Sequence, residues 1–234
     1  MNAHFKEGLR HGVPIALGYF SVAIGFGIMA VNAGLSIAEA VGISVSNLTS
    51  AGQVAGVGII AAGGTIFEMI LTQFVINLRY SLMGISLSQK LDERFNTPHR
   101  MIAAFGITDE IFAVCAAYPG KLTPEYMYGV TIIATIGWGG GTFVGAAMGA
   151  LLPPLLSDAL GIMLYGMFLA VFIPAARGDR GTLVVVIAAA GLSILFYYVF
   201  TAVSSGFAII LCSVAAAAVG ALLFPVKEEE EDAA

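Results

Sequence analysis

Residues 43–58 read ISVSNLTSAGQVAGVG, and this stretch sets the frame for everything else in the chain. It places Ser44, Ser46, Asn47, Thr49, Ser50 and Gln53 beside Gly52, Gly56 and Gly58, inside sequence otherwise apolar enough to sit in lipid. A lipid-facing helix is not built this way. Irregular backbone survives at membrane depth only where protein or a water-filled cavity satisfies its N–H and C=O groups, so a polar, glycine-rich interruption is a candidate substrate lining. A second reading stays open, in which Gly52-x-x-x-Gly56 is simply a close contact between packed helices.

The surrounding composition explains why a break here matters. The chain is 59% hydrophobic and 11% charged, with a mean hydropathy of +0.93, against a charged share of about 25% in soluble domains. It reads as an all-α polytopic membrane protein. Its 234 residues hold about six to eight spans with short loops and leave no room for a typical soluble domain. The net charge of −5 reflects a tail in which Glu228 to Asp232 supply five acids. No basic patch points to nucleic acid.

Cys115 and Cys212 both lie in apolar runs and read as small hydrophobes rather than a disulfide framework. His4, His11 and His99 lie outside those runs, which argues against haem or a metal cluster; no cofactor is expected. With no Ser/His/Asp, Cys/His, phosphate-loop or metal-ligand pattern in the chain, it is not read as an enzyme. The apolar run from Val13 is longer than a signal-peptide core, and no clear cleavage site follows, so an uncleaved first helix is expected.

In chain order, residues 1–12 form a basic, partly amphipathic leader expected on the membrane surface. Val13 to Val31 is long enough to span, and Asn32-Ala33-Gly34 ends it before a candidate helix cap at Ser36. Thr65 to Ser88 is a long segment carrying Glu68, Thr72, Gln73, Asn77, Arg79 and Tyr80. KLDERFNTPHR at 90–100 must be a water-exposed loop. Met101 to Tyr118 returns to the membrane with Thr108-Asp109-Glu110 inside it. Pro124 opens a segment that runs through Trp138 and Gly139-Gly140-Gly141 to Leu152, and Pro153-Pro154 breaks it. Residues 156–176, 181–199 and 201–224 are the last apolar runs, and 226–234 is the acidic tail.

Positive charge then constrains topology. The basic clusters are the leader, the 90–100 loop, Arg177 to Arg180 and Lys227, and all should share the cytoplasmic face together with both termini. Simple crossing by every apolar run would put residues 90–100 on the wrong face, so one earlier run must fail to cross. The 44–58 stretch is the natural candidate. The same count requires a second failure, expected near 137–141 or at Pro153-Pro154. About six net crossings remain, arranged as two halves, 13–120 and 121–225. Glu39 to Ile43 resembles Asp158 to Ile162, which raises an inverted repeat, with chance similarity in a low-complexity chain as the alternative.

Arg79 is the costliest residue to place, at about 2.5–3.5 kcal/mol near a helix centre, and it needs a partner. Glu68 is about 16 Å away along an ideal helix and too far. Asp109 or Glu110 is the better choice. Being adjacent, they point about 100° apart on a helix, so one is expected to meet Arg79 and the other to stay free for a proton or a substrate ammonium. A purely structural ion pair is the alternative. Trp138 reads equally as an interfacial anchor or as a wall of the site. The Gly141, Gly145 and Gly149 ladder reads as a helix-packing face.

These residues together resemble the AzlC family, the large subunit of branched-chain amino acid transporters of bacteria and archaea. The likeness runs from Phe5 to about Phe200. It rests on Phe5 and Gly8 before Pro14, Ser50-Ala51-Gly52-Gln53, Asn77-Leu78-Arg79-Tyr80, Thr108-Asp109-Glu110, and Trp138 with Gly141-Thr142 and Gly145. The resemblance implies export of Leu, Ile and Val, with Met as a further substrate, from a prokaryotic cell, with a small AzlD-like membrane subunit as partner. A mechanism that fits uses N–H groups freed around Asn47, Ser50, Gly52 and Gln53 for the substrate carboxylate. Asp109 or Glu110 takes the ammonium, and Asn77, Trp138 and apolar residues near Phe105 or Phe112 complete the site. Arg79, Asp109 and Glu110 form the expected charge network.

Overall fold

The computed structural model describes residues 2–151 and 173–224, together with isolated positions between 155 and 169. The Pro153-Pro154 break, most of the 156–176 run, the Asp158 to Ile162 match, Lys227 and the acidic tail lie outside or only partly within the described residues. The described part is helical, and five of its helices are long and apolar enough to cross a bilayer.

The first helix, α1, runs Ala3–Asn32, about 45 Å at 1.5 Å per residue. Residues 3–12, expected to lie apart on the membrane surface, are instead its first turns. Their register is set by glycine. Gly8 and Gly12 face α7 (Pro124–Met148) at Tyr126, Gly129 and Val130, while Gly137, Gly141 and Gly145 face Ala16, Phe20 and Ile24. A Cβ at Gly8, Gly137, Gly141 or Gly145 would strike the neighbouring backbone, and one at Gly12 the Ile133 side chain. With no hydrophobic drive between helices in lipid, backbone-to-backbone approach is what supplies dispersion energy. The pairing of residue 8 with 126–129 and of 24 with 145 also shows that α1 and α7 run parallel.

Gly34, with φ +94, turns the chain at the far end of α1. A capping box then starts α2 (Ile37–Ser46): the Glu39 N–H donates to Ser36 Oγ at 3.2 Å and the Ser36 N–H donates to Glu39 Oε2 at 2.7 Å. After a break, α3 (Ser50–Ala61) leads to Gly63, φ +66, and to α4 (Ile66–Ser88). At the end of α4 the backbone is pinned to the start of α7, with Asp92 N–H donating to Leu122 O at 2.9 Å and Leu122 N–H to Lys90 O at 2.8 Å. So α4 ends where α1 and α7 begin, and it must start at the opposite end. The pair α2 and α3 therefore enters and leaves on the far side. Each is about 15–18 Å long, half a bilayer core, and neither crosses. The expected failure before residue 90 is here.

The second failure is not where glycine suggested. Helix α7 runs unbroken through Gly137 to Gly141. The segment that fails is Met101 to Tyr118, split into α5 (Thr97–Phe105) and α6 (Asp109–Ala117) around Gly106-Ile107-Thr108. Tyr118 donates to Glu7 of α1 at 3.0 Å, so this hairpin enters and leaves at the leader end. Within residues 3–117 the chain thus repeats a shorter unit in opposite orientation: a crossing helix followed by a half-depth hairpin, once from each face. The signals of the two copies match in order. Ser36 and Asn96 cap the first arm, Thr49 and Thr108 the second, and Thr65 and Thr123 the next long helix.

Helices α8 (Arg180–Tyr198) and α9 (Ser205–Leu223) form an antiparallel pair in which Gly220 meets Val185. The start of α9 is fixed at the far end, where the Gly206 N–H donates to Glu68 Oε1 at 2.9 Å and the Ser204 hydroxyl donates to the same carboxylate. Asp179 and Arg180 consequently sit at the leader end. Lys6, Arg10, Lys90, Arg94, Arg100 and Lys121 are at that end too, the single-faced distribution expected of retained loops.

Candidate functional site

The two breaks meet. Asn47 ends α2 with φ −146 and ψ 103, and Thr49 restarts the chain by accepting the Gly52 N–H at 3.1 Å. Opposite, Thr108 accepts the Ile111 N–H at 3.3 Å to start α6. Between them is a cavity of about 190 Å³ bounded by Asn47, Thr49, Asn77, Tyr80, Phe105 and Ile107, room for about six waters.

Both α3 and α6 begin at this level, so two helix N-termini deliver positive partial charge and free N–H groups to one place. Their first turns differ. Asp109 and Glu110 occupy that of α6, whereas α3 carries no acid there. The α3 terminus, opening with Ser50 and Ala51, is therefore the one left for an external anion.

The two adjacent acids have separate partners. Arg79 Nη2 donates to Asp109 Oδ2 at 2.9 Å and to the Tyr80 hydroxyl at 3.2 Å, with the guanidinium 4.9 Å from the Tyr80 ring centre. Glu110 turns toward α1, where the Tyr19 hydroxyl lies 2.5 Å from its Oε2 and 2.6 Å from Thr108 Oγ1. Glu110 is thus the acid that Arg79 leaves free, and a phenol holds it. Glu68, the acid of α4, is 3% exposed and serves the start of α9.

The remaining sequence-expected residues divide by position. Asn77 lines the cavity and donates to Gln73 Oε1 at 3.2 Å. Gln53 is buried and donates to Ser44 Oγ at 3.1 Å; Ser44 lies 2.7 Å from Thr142 Oγ1 of α7. Gly52 lies against the Gln73 side chain. Phe112 packs on the core formed with α1 and α7. Trp138 is 1% exposed, away from either interface, with its ring edge-on to Tyr19 at 5.2 Å between centres. Tyr19 and Gln73 were not singled out as site residues. Tyr19 sits among apolar residues with nothing polar at helical spacing, but Gln73 and Asn77 are four apart on one helix face, a legible signal.

Comparison with known proteins follows the same residues. The sequence pattern of the family described as "AzlC protein" matches residues 14–152, from Pro14 of α1 through both hairpins to the end of α7. The chain belongs to the AzlC family. It is 31% identical over 197 residues to the "Inner membrane protein YgaZ" of Escherichia coli, covering 81% of this chain and 80% of that one. It is also 31% identical over 179 residues to an "Uncharacterized membrane protein" of Archaeoglobus fulgidus, covering 76% and 78%. No solved structure matches. Membership in the AzlC family is consistent with a role in membrane transport, and both hairpins of the candidate site lie inside the matched region.

Proposed function

We propose that this AzlC-family protein is a proton-linked secondary transporter that exports branched-chain amino acids, Leu, Ile and Val with Met as a further substrate, across the cytoplasmic membrane of a prokaryote. It works with a small AzlD-like membrane subunit, keeps both termini in the cytoplasm, and carries out no chemical conversion. The observation that carries the reading is the meeting of two half-depth hairpins, one from each face, at a small cavity with distinct polar and apolar walls.

A zwitterion has three needs, and each has an answer here. The carboxylate is served by the acid-free N-terminus of α3. The ammonium is served by amide and carboxylate oxygens of Asn77, Asp109 and Glu110. The branched side chain is served by Phe105 and Ile107. A bound ammonium competes with Arg79 for Asp109, and a proton on Glu110 weakens its hold on a cation. Both events act on the first turn of α6, which supplies the link between substrate and proton. The single-faced basic residues support cytoplasmic termini.

The test is leucine flux in proteoliposomes, with and without the small subunit. Saturable, proton-gradient-driven leucine movement supports the proposal. Unsaturable conductance makes the protein a channel, and absence of flux under both conditions makes it a scaffold.

A further inference from the structure

A second cavity of about 230 Å³ lies between α2, α3 and the start of α4. It shares Ser46 and Asn47 with the central cavity but extends the other way, to Ile60 near the end of α3 and Met69 near the start of α4, both toward the far end. The wall between the two is made of side-chain amides. Gln73 Nε2 donates to the Gly52 carbonyl at 2.7 Å, and Gln73 Oε1 accepts from Asn77 Nδ2 at 3.2 Å. Gln73 thereby clasps α4 to the first turn of α3. Gly52 is what lets it approach, since a Cβ there would collide with Gln73 Oε1.

Each cavity also has a buried acceptor with no donor among the described residues: Asn77 Oδ1 on the central one and Gln53 Oε1 on the second. Gln53 is 1% exposed. A buried amide oxygen without a partner loses its hydration uncompensated, so a ligand that brings N–H donors recovers that loss. Val57, Ile60 and Met69 on the same cavity offer apolar contact.

We propose that the second cavity is a far-end substrate site, which takes a primary ammonium on Gln53 Oε1 and an apolar side chain against Ile60 and Met69. Gln73 is the clasp that separates it from the central site. The inference rests on the transport reading and adds a second station to it. The amide oxygens of Asn77, Gln73 and Gln53 then form a row along which an ammonium is handed outward.

The experiment uses full-length protein in proteoliposomes, with Cys115→Ser and Cys212→Ser as background and a membrane-impermeant maleimide applied at the far-end face. The Met69→Cys thiol is expected to react, and leucine at ten times its dissociation constant to slow that reaction about tenfold. 4-Methylpentanoate, which lacks the ammonium, is expected to give no protection. Gln53→Met should abolish protection and leave the unprotected rate unchanged. The Ala104→Cys thiol, on the central cavity, should be silent from that face and become reactive with either Gln73→Ala or Gly52→Ala. Equal protection by leucine and the acid, or reaction at Ala104→Cys regardless of Gln73, overturns the proposal. Leucine flux in the same vesicles keeps the two readings apart. Flux without protection overturns the second site alone, whereas protection without flux supports the site and overturns transport.

Discussion

Arg79 Nη2 lies 2.9 Å from Asp109 Oδ2, joining the middle of a crossing helix to the first turn of a half-depth one. The pair is only partly shielded, with 40% and 29% of the side chains exposed, so breaking it costs between the surface and buried limits, about 1 to 3 kcal/mol. Arg79→Ala and Asp109→Asn should each abolish export from preloaded vesicles while the protein remains in the membrane. Wild-type flux in both variants would remove the pair from the mechanism.

Tyr19→Phe deletes one hydroxyl and with it the contacts to Glu110 and Thr108. A hydrogen bond to a charged group contributes about 1.5–3 kcal/mol. Transport should fall, while the Trp138 environment, which depends on the ring rather than the hydroxyl, keeps its fluorescence. A changed emission maximum together with lost transport would point to misfolding instead.

The glycine contacts between α1 and α7 give a graded series. Gly141→Val and Gly145→Val place branched side chains against the Phe20 and Ile24 backbones, and overpacking of this kind costs about 1–3 kcal/mol each or more. Gly18→Ala on the same α1 helix meets nothing within 4 Å. Thermal stability in detergent should drop for the first two and hold or rise for the third. Equal behaviour of all three would contradict the packing described.

At the leader end Asp179 caps α8. The Thr182 N–H donates to its Oδ2 at 2.6 Å and the Thr182 hydroxyl at 2.7 Å, which holds its carboxyl below the ordinary aspartate range. A lowered folded-state value means the cap is fully present above the usual value of about 3.9 and is lost as pH falls through the lower one. Protection of the Thr182 amide, measured against its intrinsic exchange rate, should therefore hold down to that range and fall only below it. In Asp179→Asn the pH dependence should vanish, and its persistence would assign the protection to another group.

How much of this was legible in the sequence differs between the two hairpins for a physical reason. The first break announces itself, because Ser44 to Gln53 cannot face lipid and the chain resumes with a capping threonine. The second is quieter: Met101 to Tyr118 has the length of one span, and its interruption by Gly106 and Thr108-Asp109-Glu110 reads as charge buried within a span as readily as a break in one. The run Gly137 to Gly141 has a stronger breaking signal but continues Gly141 and Gly145 at four-residue spacing, the period of a packing face. Glycine content alone cannot separate these uses; spacing can. Tyr19 was hidden for a different reason, since its partners Thr108 and Glu110 are distant in sequence and the phenol is flanked only by apolar residues. Thr108, by contrast, was visible as part of Thr108-Asp109-Glu110, though not as the residue that starts a half-helix.

Single cysteines at Ser36, Ala62, Asn96, Lys121 and Asp179, labelled from each face of intact cells, test the two opposed hairpins most directly. Thiols at 36 and 62 should react from one face and those at 96, 121 and 179 from the other. Labelling of 36 and 62 from opposite faces, or of 96 and 121 from opposite faces, would mean that one of the broken segments crosses the membrane and that no paired breaks meet at its centre.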